Sequence, residues 1–146
     1  MSDSNTYFQN LKTIPLFSAM EDADLEQIIS AAVLQFFPPK YSIIKEGEIG
    51  DCMYIIKKGS VEVFKNSNDL GSHEKNMAVL AAGDVFGEMA LVSDAPRNAN
   101  IRTVDDCEIF ILKKVEFDKI LAQNSTLAAK VSTDVIERMK QNEKLI

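Results

Sequence analysis

A mainly β fold of the jelly-roll type, with helices at both ends, is what this 146-residue chain predicts. Three observations carry that expectation. Short segments rich in strand-forming residues crowd the middle of the chain, at residues 33–37, 41–45, 53–57, 61–64, 77–80, 99–104 and 107–112. Turn signals separate them: Pro38-Pro39, Gly47, Gly50-Asp51, Lys58-Gly59, residues 68–71, Gly83-Asp84 and Asp105-Asp106. On either side the apolar period becomes helical. Many short strands at close spacing form a sandwich or a barrel, which is the jelly-roll solution.

Taken in order, the first region runs to Ala32. Leu25, Ile28, Ile29 and Ala32 fall on one helix face, and Asp22 and Asp24 place negative charge at its start. Leu11, Ile14, Leu16 and Phe17 precede it as an apolar hook, where Pro15 prevents one continuous helix. The strand region covers residues 33–113. Residues 115–123 then predict a short helix with Phe117, Ile120 and Leu121 on one face. Ser125 or Thr126 is the expected cap of a longer helix reaching Lys144. Its apolar positions form two stripes, Ala128, Val131 and Val135 on one, Ile136, Met139 and Ile146 on the other. One stripe suits the strand region; the other suits either the same core or a second copy in a homodimer. The whole reads as one domain, 1–146, divided at 32/33 and 113/114.

Composition excludes several classes. A hydrophobic content of 46% supports a packed core. The net charge is −6, and the longest basic groupings are the pairs Lys57-Lys58 and Lys113-Lys114, so no direct nucleic-acid partner is expected. No apolar run has the length of a membrane span, and no membrane insertion is expected. The first six residues lack the basic and apolar stretches of a secretory leader. Cys52 and Cys107 stand alone, as in reduced thiols, and a cytoplasmic location follows. An enzyme is not expected. A cupin-like metal centre needs several imidazoles, and His73 is the one histidine, in a polar loop. Gly-x-Ser-x-Gly and Gly-x-x-x-x-Gly-Lys are absent, and neither a metal nor a cofactor is implied.

Residues 86–100, Phe-Gly-Glu-Met-Ala-Leu-Val-Ser-Asp-Ala-Pro-Arg-Asn-Ala-Asn, break the strand series. Gly87 allows close approach of a ligand to the backbone. The amides from Gly87 to Leu91 open a helical turn, which favours an anion and above all a phosphate. Arg97 suits the same phosphate through paired hydrogen bonds. Glu88 is out of place beside an anion unless it binds a neutral hydroxyl, as a ribose carries. The bland alternative is a surface turn with an incidental ion pair between Glu88 and Arg97.

This segment resembles the phosphate-binding cassette of the cyclic nucleotide-binding domain family, Phe-Gly-Glu-x-Ala-Leu followed by Pro-Arg-x-Ala-Thr or Ser. It matches at Phe86, Gly87, Glu88, Ala90, Leu91, Pro96, Arg97 and Ala99. Its Glu88 to Arg97 spacing is that of cyclic-AMP-dependent kinase regulatory subunits. The tract from Gly50 to Val61 is similar to a second family stretch, and Gly47, Gly50, Gly59, Gly83 and Gly87 match recurring glycines. These other matches read as structural. The resemblance extends to catabolite activator-like domains. It implies an eight-stranded double-stranded β-helix, a β-roll, with C-terminal helices acting as a lid.

The resemblance implies ligand contacts at Gly87, Glu88, Met89, Ala90, Arg97, Asn98, Ala99 and Val63. Glu88 would accept from the ribose 2′-hydroxyl, and Arg97 would pair with the exocyclic phosphate oxygens. The amides of Ala90 and Asn98 would reach the phosphate, and Gly87 the ribose. Val63 and Met89 would flank ribose and base, or serve as ordinary core. Ile136, Arg138 and Met139 are lid candidates. Three positions depart from the pattern. Asn98 stands where kinase-type cyclic-AMP sites carry alanine and many cyclic-GMP sites threonine. Asn100 replaces the usual threonine or serine, and Lys40 replaces a frequent turn glycine. The expected function is a non-catalytic regulatory module that senses cyclic AMP, with cyclic GMP second, and signals to a downstream protein by C-terminal helix movement. The alternative is a degenerate β-roll serving protein interaction or dimerisation without nucleotide. Both Glu88 and Arg97 are present at the correct spacing, which argues against it.

Overall fold

The computed structural model describes residues 2–66, 75–131, 136–137 and 141. Two helices come first, α1 (Ser2–Leu11) and α2 (Asp22–Ser30). Eight strands follow: β1 (Val33–Phe37), β2 (Ser42–Ile44), β3 (Cys52–Lys58), β4 (Ser60–Lys65), β5 (Lys75–Ala81), β6 (Val85–Phe86), β7 (Asn100–Thr103) and β8 (Cys107–Lys113). A 3-10 turn (Glu88–Leu91) sits between β6 and β7, and α3 (Lys114–Gln123) and α4 (Ser125–Lys130) follow β8. The strands form two antiparallel four-stranded sheets, in the orders β1-β8-β3-β6 and β2-β7-β4-β5. The mainly β fold with flanking helices is therefore confirmed. The two-residue β6 was invisible in the sequence, being too short to show alternation.

Alternation along the strands divides the core in two. Between the sheets lie Ile44, Ile56, Val61, Val63, Phe86, Ala99, Ile101 and Ile109. The opposite face of β3 and β8, with Met53, Ile55 and Leu112, packs against the helices through Leu11, Phe17, Leu25, Ile28, Phe117 and Leu127. Leu11, Leu16 and Phe17 of the expected hook are buried. Ahead of them α1 lays Tyr7 edge-on to Phe110, with ring centroids 5.8 Å apart. This helix was not separable from the hook by sequence.

Two expectations change. The cap of α4 is Asn124, whose Oδ1 accepts from the amide of Leu127 at 3.0 Å, rather than Ser125 or Thr126. The helix then stops at Lys130. Val131 takes φ −95°, ψ 71°, outside the helical region, and its side chain turns against the helix-side core. Ile136 is half-buried; Val135, Arg138, Met139 and Ile146 lie outside the described residues, as does His73.

The turn before β2 accommodates Lys40 in the left-handed region, at φ 63°. Buried Thr103 holds that turn: its hydroxyl donates to the carbonyl of Pro38 at 2.6 Å and accepts from the amide of Tyr41 at 2.7 Å.

Candidate ligand-binding site

The cassette is built into both cores. Phe86 and Ala99 anchor its ends between the sheets, whereas Met89, Leu91 and Val92 pack on the helix side. Gly87 joins these parts with φ 79°, a left-handed conformation that L side chains adopt at a cost. The next residues form the expected helical turn, as a 3-10 rather than an α turn. The amide of Ala90 donates to the carbonyl of Gly87 at 3.2 Å. One of the amides expected to face an anion is thus already engaged within the turn.

A second segment clamps the cassette from the side. The amide of Gly47 donates to the carbonyl of Arg97 at 2.8 Å, and the amide of Arg97 to the carbonyl of Glu48 at 2.7 Å. Ile49 bridges Pro96. Asn100, one of the three departures, completes the brace. Its Oδ1 accepts from the amide of Glu46 at 2.9 Å, and its Nδ2 donates to Asn66 at 3.0 Å. A carboxamide does both because it carries a donor and an acceptor.

Arg97 projects from this clamp to the other end of the cassette. Its Nη2 donates to the carbonyl of Cys52 at 2.8 Å and its Nη1 to that of Gly87 at 3.3 Å. The guanidinium carbon lies 5.9 Å from the centroid of Tyr54, a cation–π contact. Tyr54 is itself stacked on Phe86, centroids 4.8 Å apart. Two of the five guanidinium N–H groups are therefore taken by carbonyls, leaving donors for an anion.

Glu88 is buried. Desolvation pushes its carboxyl up to about 7, opposed by its own backbone amide and by the nearby charge of Arg97. Burial thus favours the protonated form of Glu88 over what an exposed carboxyl shows. Cys52, whose carbonyl holds Arg97, is disfavoured as a thiolate. Burial, and then the hydrogen bond to Asp51, push its thiol up to about 12.

Of the expected contact residues, Gly87 and Glu88 lie near Arg97, and Ala90 follows in the same turn, bonded to the Gly87 carbonyl. Asn98 is half-buried beside them, while Ala99 points between the sheets. Val63 lies fully buried between the sheets, and Met89 packs on the helix side. Sequence reasoning missed Gly50, the Cys52 carbonyl and Tyr54, all of which contact or crowd Arg97. Backbone acceptors leave no mark on residue type. An open groove of about 370 Å³ by Phe36, Phe37 and Pro38 involves none of the cassette.

Two four-stranded antiparallel sheets with flanking helices, interrupted by this cassette, define a class of β-roll domains. Residues 34–124 match the family model of the cyclic nucleotide-binding domain, and the chain belongs to that family. It is 29% identical over 131 residues to the cAMP-dependent protein kinase regulatory subunit of Pyricularia oryzae, covering 90% of this chain and 32% of that one. It is 35% identical over 114 residues to the cGMP-dependent protein kinase of Eimeria tenella, covering 77% and 11% respectively. The chain thus spans about a third or less of the length of these two relatives. The N-terminal domain of a transcriptional regulator from Streptomyces coelicolor shares the fold, with a TM-score of 0.76 at 21% identity, over 92% of this chain and 94% of that one. Among the described residues, no helix is long and apolar enough to cross a membrane.

Proposed function

We propose that this domain is a non-catalytic sensor of a cyclic nucleotide, with cyclic AMP preferred over cyclic GMP. The observation that carries the reading is Arg97, held by two carbonyls with donors to spare, within a cassette whose first turn also buries Glu88. The guanidinium pairs with the cyclic phosphate, Glu88 takes the ribose hydroxyl, and Gly87 lets the sugar approach. The amide of Asn98 supports the phosphate, and that of Ala90 joins it by exchanging the Gly87 carbonyl for a phosphate oxygen; Ala99, Val63 and Met89 shape the apolar surroundings of the ligand. Binding to the cassette shifts the position of the C-terminal helices, which a downstream protein or a second copy reads. Its place of action is the cytoplasm.

A cyclic-GMP reading rests on Asn98, whose amide can donate to phosphate and accept from a guanine amine. Calorimetric titration of cyclic AMP and cyclic GMP into the protein tests both. Saturable binding with cyclic AMP tighter is the expected result. Tighter cyclic GMP would transfer the assignment to the second reading, and binding of neither would favour a protein-interaction role.

A further inference from the structure

Resting on that reading, we propose that Gly50 is a positioning residue for ligand recognition, and acts by leaving room for Arg97. Glycine is usually required where the backbone turns left-handed. Gly47, Gly59, Gly83 and Gly87 meet that description, with φ of 92°, 95°, 93° and 79°. Gly50 does not belong to this group. Its reason is spatial. A Cβ on Gly50 would overlap Nε, Cζ and Nη2 of Arg97, closer than real Cβ atoms come. The guanidinium lies in the space that any other residue would fill.

Three neighbours fix the seat around that space. The Cys52 carbonyl holds Nη2, the Gly87 carbonyl holds Nη1, and the Tyr54 ring lies against the cation. Gly87 forms the opposite wall, since a Cβ there would come within 2.9 Å of Nη1. A methyl group at residue 50 meets the end of a flexible side chain, not a rigid backbone. The arginine therefore yields while the loop stays. Gly50→Ala should leave the fold intact and move the guanidinium off its two carbonyls, away from the position where it meets a phosphate. A group held in place before binding loses no freedom on binding, and that advantage disappears with the seat.

The test is a double-mutant cycle read by calorimetry with cyclic AMP. Gly50→Ala should weaken binding about ten-fold or more, with far-UV circular dichroism unchanged. In an Arg97→Ala background the same substitution should change affinity less than about two-fold, because its target is gone. An equal loss in both backgrounds, or unchanged affinity in Gly50→Ala alone, would overturn the proposal. A second readout needs no ligand. The Arg97 Nε–H resonance in ¹⁵N spectra, assigned by its absence from Arg97→Ala, should shift in Gly50→Ala. An unmoved resonance would sink the seat. Failure of the parent protein to bind any cyclic nucleotide would instead remove the proposed function, with the resonance still deciding the role of Gly50.

Discussion

The cassette and the C-terminal helices are attached to the same β-roll in different ways. The cassette is fixed from several directions. Phe86 and Ala99 bury into one core, Leu91 into the other, and residues 46–48 clamp it with hydrogen bonds from their backbone. α3 is held in the helix-side core by Phe117 and Ile120, whereas α4, among the described residues, hangs on fewer points. Leu127 plugs the helix-side core, Asn124 caps α4, and Lys130 reaches Asp24 of α2 at 2.7 Å. Lys130 is also the last residue of α4. Packed cores with many anchors resist small displacement, whereas an element with few anchors shifts at modest cost. On the proposed function, recognition belongs to the first region and movement to the second.

The largest expected effect strikes the first region. Arg97→Ala removes the guanidinium from between the Cys52 and Gly87 carbonyls. Truncating one partner of a shielded charged pair costs about 2–5 kcal/mol. Cyclic-nucleotide affinity should fall roughly 30-fold to a few thousand-fold, as measured by titration calorimetry. Equal affinities in parent and variant would show that the cassette is not the reader.

Next comes the buried carboxyl. In the folded protein Glu88 is pushed up from 4.5 to about 7, mainly by burial. Between those values the folded state holds a proton that the unfolded state has released. The contribution of this group to stability is therefore complete below pH 4.5 and declines as pH rises to about 7. At 1.36 kcal/mol per pH unit the decline is on the order of 3 kcal/mol. Urea midpoints taken across this range for the parent and Glu88→Gln isolate it by difference. The parent should lose stability relative to the variant as pH rises. Parallel curves would mean that the carboxylate is better solvated than its burial implies.

The two regions were also unequally legible in the sequence. The cassette carries its chemistry in residue type, so Gly87, Glu88 and Arg97 stood out through the resemblance of the whole segment 86–100 to the family pattern. Strands with two faces to satisfy, such as 53–57 and 107–112, were readable from composition and turns. The end of α4 was not. Val131 leaves the helix to pack against the core, which no residue type announces; at its start Asn124, as good a cap as Ser125 and better than Thr126, takes the position instead. The brace around Arg97 was hidden because carbonyls belong to every residue. Gly50 looked like one more turn glycine; only the path of a side chain distant in sequence gives it another reason.

A smaller effect tests the second region. Lys130→Met keeps the aliphatic stem and removes the charge that holds Asp24 well ionised. Where binding draws α4 from α2, this loss should tighten cyclic-nucleotide affinity about two- to five-fold, since less is given up on moving. The same variant should flatten the salt dependence of affinity. Unchanged affinity at low and high salt would place the moving element elsewhere, and would break the division of labour drawn above.

The smallest effect asks whether recognition is separable from the stability of the roll. Lys40 pays a backbone cost at φ 63°, in a turn fixed by the Thr103 hydroxyl and by its own amide, which donates to the Thr103 carbonyl at 2.9 Å. Glycine adopts that conformation without the Cβ penalty, but gives the unfolded chain more freedom. The two effects oppose each other, and Lys40→Gly should gain about 0.5 kcal/mol. A chemical-denaturation midpoint slightly above the parent's would register it. Nucleotide affinity should stay the same, because the turn lies outside the cassette and its clamp. An affinity that rose with stability would mean that the cassette fluctuates with the whole roll, and its several anchors would then explain folding rather than recognition.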